Sequence, residues 1–252
     1  MPRAQTALLV VALLGFSTAT ARAAGINLYW NDCSTGGAAT TNRDFACNTN
    51  AGFNDLYVSY DPPPEITSTV GVEITINLVS SASALQDWWQ LKNPGTCRLT
   101  ALTMLPSAAS ACPDPWQGVG VGGIAAYLVN SSNPSIPVNG ARILAVMAVA
   151  EGTPMLPLVA GTEYFGGVIR ISNAKTVGPT ACAGCTIPVC LMLSQVSLYP
   201  PGSTSGTPLF LPLTNVFVGW QGGVGGVGGG FTCFGPTPTL NRTWGQIKTI
   251  YR

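Results

Sequence analysis

The chain has 252 residues, carries 11 Lys and Arg against 10 Asp and Glu, and contains no histidine. The missing imidazole excludes Ser-His-Asp and Cys-His catalysis, histidine metal centres and histidine proton relays, and a net charge of +1 offers no basic field for nucleic acid or an anionic membrane. Only 8% of residues are charged, against roughly 25% in ordinary soluble domains, so Ser, Thr, Asn, Gln and Gly must coat the surface. Weakly charged surfaces repel one another poorly, which favours assembly or adhesion; a monomer suited to a salty or crowded medium is the alternative.

The N-terminus reads as an export leader over residues 1–24. Arg3 supplies the positive start, ALLVVALLGF (7–16) the apolar run, and Ala21-Arg22-Ala23 the small residues a signal peptidase reads, with cleavage expected near Ala23 or Ala24. An apolar run this short does not cross a bilayer, which takes about twenty residues. Cleavage leaves no expected membrane segment, and it removes Arg3 and Arg22, so that nine basic residues face ten acidic ones. The product is expected to be secreted or periplasmic, with residues 25–235 as one domain and 236–252 as a tail.

Gly and Pro, 30 and 20 in number, punctuate the chain into short apolar runs. The clearest is VGVEITINLV (70–79), where Val70, Val72, Ile74, Ile76 and Leu78 fall on one face and Gly71, Glu73, Thr75 and Asn77 on the other. Period two over such a length predicts a strand buried on one side. Further strands are predicted at 26–30, 56–60, 124–129, 163–172, 189–199 and 214–220. RILAVMAVA (142–150) is apolar on both faces, which suits a central strand covered on two sides or a short buried helix. Many short strands with turn signals between them predict an all-β antiparallel β-sandwich, jelly-roll or immunoglobulin-like.

QGGVGGVGGGF (221–231) is too glycine-rich to bury anything and reads as a flexible loop or a close backbone crossing. After it, Asn241 offers an N-cap and Trp244, Ile247 and Tyr251 follow at helical spacing. A short C-terminal helix docking on the sandwich is expected; a recognition tail for secretion or attachment is the functional reading.

The eight cysteines are Cys33, Cys47, Cys97, Cys112, Cys182, Cys185, Cys190 and Cys233. An even count behind an export leader reads as a disulfide framework. Proximity pairs Cys33 with Cys47 and Cys97 with Cys112. Cys182, Cys185, Cys190 and Cys233 remain, in which C-x-x-C is half of a zinc ribbon or a redox centre. No second close pair completes the ribbon, and a Gly/Pro-punctuated loop is not the helix start that a redox centre needs. Two further disulfides are therefore expected, one tying the 182–190 loop to Cys233, with no metal and no cofactor.

PGSTSG (201–206) centres on Thr204 and lacks a base, so it is no nucleophile elbow. The glycine-rich stretch lacks the Lys-Ser/Thr ending of a phosphate loop. Carboxylate hydrolysis needs two facing acids, and no spacing selects a pair from Asp32, Asp44, Asp55, Asp61, Asp87, Asp114, Glu65, Glu73, Glu151 and Glu163. Asp32, Asp44 and Asp55 stand among Asn and Thr oxygens that suit calcium, without the spacing of an EF-hand loop; ordinary polar loops explain the same residues.

QDWWQ (86–90) and PDPWQG (113–118) each join Asp, Trp and Gln. Trp88, Trp89 and Trp116, with Asp87 and Asp114, could grip a sugar, the indole faces covering its apolar C–H edges. Core packing is the competing reading, in which adjacent tryptophans point to opposite sides of a strand.

The stretches YWNDC, NRDFACNTNAG, DWWQLKNPGTCR, CAGCTIPVC and TWGQIKTIYR resemble exported proteins of environmental bacteria that carry no assigned activity. The resemblance implies secretion and several disulfides, and it transfers no catalytic or binding residue. The expectation is a non-enzymatic structural or adhesive protein of the envelope or matrix, partnered by itself or by a cell surface. A carbohydrate-binding module is second and a carboxylate hydrolase third.

Overall fold

The computed structural model describes residues 24–223. The period-two run becomes β4 (Gly71–Ser80), with Val72, Ile74, Ile76 and Leu78 buried and Glu73, Thr75 and Asn77 half-buried on the other face. Around it in chain order stand β1 (Gly25–Trp30), β2 (Asn42–Arg43), β3 (Phe53–Asp61), β5 (Leu102–Leu105), β6 (Val121–Val129) and β7 (Gly140–Ala148). β8 (Tyr164–Ser172), β9 (Val189–Tyr199), β10 (Thr207–Leu209) and β11 (Phe217–Trp220) follow, and a 3-10 turn (Asp87–Trp89) separates β4 from β5. The all-β expectation holds. The leader, the glycine-rich stretch from 224 on and the C-terminal helix expected within 236–252 lie outside the described residues.

One sheet has the order β1-β3-β8-β5 and the other β2-β11-β9-β4-β7-β6, with β10 also on β9. Every strand pair is antiparallel except the two-residue β2–β11 contact. The sheets form a sandwich whose shared core joins Leu28, Leu56, Val58 and Ile169 of the first to Ile74, Ile76, Ile143 and Leu191 of the second. Gly167 (φ +130°) lets β8 approach that core closely, since a Cβ there would meet Met104 Cε at 2.6 Å. A smaller cluster of Cys33, Tyr57, Cys112, Phe165 and Val168 lies apart from this core, with Leu105 and Ala108 packed against it. The segment after β5 is tied there, because Tyr57 Oη donates to Ala109 O and Phe165 N to Pro113 O.

Seven of the ten connections between the described strands change sheet. Among the described residues only β6–β7 and β9–β10 are consecutive strands that also pair, fewer than the usual two-thirds. β7 corrects the expectation of a strand covered on both faces: Leu144 is half-buried and Val146 is 42% exposed on its outer side.

Candidate functional site

The proposed sugar platform does not form. The 3-10 turn sends both Trp88 and Trp89 inward, and they and Trp116 have no exposed surface. Indoles gain most from burial, and here the gain is made inside the sandwich. Trp88 and Trp89 pack on Trp220, with ring centroids 4.6 and 5.1 Å away, and Trp220 stacks on Phe45 at 3.9 Å. Phe45 meets Trp30 at 4.7 Å. Trp116 takes part in none of these contacts and donates its Nε1 to Thr69 O at 3.0 Å. Asp87 is exposed, and Asp114 accepts from the backbone N–H groups of Trp116 and Gly118, which makes it a turn residue.

Sequence reasoning missed the cation within this cluster. Arg98 is 2% exposed, lies 3.6 Å from the Trp88 ring centroid, and donates to the carbonyls of Trp88, Ala174 and Ser172. Burial pulls its pKa down to about 9, opposed by the nearby Tyr127, so it stays charged at neutral pH. Tyr127, buried beside it, donates to Trp89 O, and desolvation raises its pKa. Nothing in the local sequence separates Arg98 from a surface arginine.

The cysteines pair as Cys33–Cys112, Cys47–Cys185 and Cys97–Cys182, with Cα atoms 5.8–5.9 Å apart. This corrects the Cys33–Cys47 and Cys97–Cys112 expectation. The physical reason is the alternation between sheets, which carries sequence neighbours apart and closes loops of 79, 138 and 85 residues instead. The two cysteines of C-x-x-C serve different partners, so that motif is neither a metal clip nor a dithiol centre. Cys190 is disulfide-bonded as well; the expected tie to Cys233 lies outside the described residues.

The carboxylates are dispersed. Asp32 accepts from Cys33 N and Ala111 N, both at 2.8 Å, and Asp55 forms a two-pronged pair with Arg170 at 2.7 Å. Asp61 accepts from Gly161 N, and Glu73 accepts from Tyr199 Oη. Glu163 accepts from Asn27 Nδ2 at 2.9 Å and from the hydroxyls of Ser34 and Ser59. Asp44, Glu65 and Glu151 are exposed. The three acids considered for calcium, Asp32, Asp44 and Asp55, are not gathered, and among the described residues no three His, Cys, Asp or Glu converge to hold a metal.

What remains distinctive is an edge. β1 is covered by 211–215, since Ile26 N and Leu28 N donate to Leu211 O and Asn215 O. β5 has four residues and β2 has two. β6 has nine, VGGIAAYLV, with no charge and no proline, and among the described residues no strand pairs with its outer side. A bulge between Ile124 and Ala126 is its one protective irregularity. Val121 of β6 is 69% exposed, Val146 of β7, opposite Gly123, is 42% exposed, and Val119 just before the strand is 56% exposed.

No protein-family model matches the chain, and no curated protein or solved structure shows significant similarity to it.

Proposed function

We propose that the chain is an exported structural or adhesive protein that works by associating with itself along β6. The observation that carries this reading is the edge itself. Native sheets blunt long edges with Lys, Pro, short strands or a covering segment, and the other edges of this sandwich are short or covered while β6 is long, apolar and uncharged. Two copies pairing β6 antiparallel would satisfy its outward N–H and C=O groups and set Val121 against a neighbouring strand. Low overall charge removes the repulsion that would oppose such contacts. The disulfide frame supports an oxidising, extracytoplasmic location, in agreement with the leader read at 1–24.

Multi-angle light scattering of the purified mature protein over a dilution series tests this. The expected result is a mass that rises with concentration in the native protein and stays monomeric in Val121→Lys/Gly123→Lys. A Cβ at Gly123 meets open space, so the double variant is expected to fold. A native protein that is monomeric at every concentration overturns the reading.

A further inference from the structure

A cleft of about 540 Å³ opens between the segment around the 3-10 turn and the β6–β7 connection. Its size falls in the range of small-ligand sites. Gln90, Asn93 and Thr96 line one side, Asn130 and Ser131 the other. Leu85 and Val129, both 8% exposed, supply apolar surface deep in it. No lining residue carries a charge.

The amides are held in place by part of their own hydrogen-bonding capacity. Asn93 Nδ2 donates to Gln90 Oε1 at 3.2 Å, and Asn130 Nδ2 donates to Ile136 O at 2.6 Å. Each keeps a second N–H and its carbonyl oxygen for a ligand. A side-chain amide offers donor and acceptor side by side, the complement of two adjacent hydroxyls, which both donate and accept. An apolar floor suits the C–H face of a sugar ring. A site without charge pays no desolvation penalty for an ion and gives an anionic ligand no partner.

From this lining we infer that the cleft binds a neutral oligosaccharide, on residues unrelated to the buried tryptophans. The inference rests on reading the chain as a surface-acting protein and gives that surface a ligand. Isothermal titration of the mature protein with neutral hexasaccharides of glucose, N-acetylglucosamine, xylose and mannose, and with acidic oligogalacturonate, tests it. Expected is saturable binding of at least one neutral probe and none of the acidic one. Asn93→Ala should weaken that binding about tenfold, the equivalent of 1.4 kcal/mol. Ser131→Trp, at an exposed position on the rim, should block the cleft; thermal melts check that both variants fold.

If no neutral probe binds, or if binding survives both variants, the inference is wrong. Binding that survives in the monomeric Val121→Lys/Gly123→Lys protein separates the two ideas: a native protein that is always monomeric yet binds sugar refutes edge pairing alone, and one that assembles without binding sugar refutes the cleft alone.

Discussion

The Arg98 guanidinium lies over the ring of Trp88 and also donates to the Trp88 carbonyl, so one side chain fixes both the indole and the backbone of the 3-10 turn. Three carbonyls accept from this cation, and that of Trp88 is the buried one. Arg98→Met would leave the buried Trp88 carbonyl without that donor and lose the ring contact. The expected cost is on the order of 3 kcal/mol, read as a lower urea midpoint at unchanged slope. Arg98→Lys keeps the charge but not the planar fork, and should fall between the two. An unchanged midpoint for Arg98→Met would contradict the assignment.

The covalent frame is open to direct mapping. Digestion of the unreduced protein should release peptides joined through Cys33–Cys112, Cys47–Cys185 and Cys97–Cys182. Each closes a long loop, and in the chain-entropy model removal of any one costs roughly 4–5 kcal/mol. The Cys33→Ala/Cys112→Ala protein should therefore melt well below the native one. A peptide joining Cys33 to Cys47 would contradict the fold.

Alkaline titration probes the core. Tyr60 has no exposed surface and Tyr127 is 6% exposed, and desolvation raises both phenols above their ordinary value of 10.0. An acid whose folded pKa is raised contributes stability that is complete below pH 10 and is lost above it, because the unfolded chain releases the proton first. Phenolate absorbance reads this directly: Tyr60 and Tyr127 should ionise only together with unfolding. Ionisation of every tyrosine near pH 10 in a folded protein would contradict their burial.

Strand positions were legible where one face alone is buried. Along β4 the alternation of Val72, Ile74, Ile76 and Leu78 with polar residues is the fold's own signal, and β9 coincides with its apolar run. β7 misled because Leu144 and Val146 are as apolar as core residues yet face outward beside the edge strand. Pairing was not legible for the cysteines, since which residues meet depends on the sheet each strand joins, a long-range property with no local mark. The tryptophans stood out as residue types, but the direction of Trp88 and Trp89 follows from the 3-10 turn and from Trp220, more than 130 residues away. Likewise the uncharged sequence of β6 was visible, whereas its place at an edge was not.

Amide hydrogen exchange at low and high protein concentration tests the edge-pairing account most directly. The account predicts that the Val121–Leu128 amides facing away from β7 exchange quickly when dilute and become protected when concentrated, while those of β4 stay protected throughout; Val129 N already donates to Ser132 Oγ. Outward amides of β6 that exchange at the same rate at every concentration would contradict it.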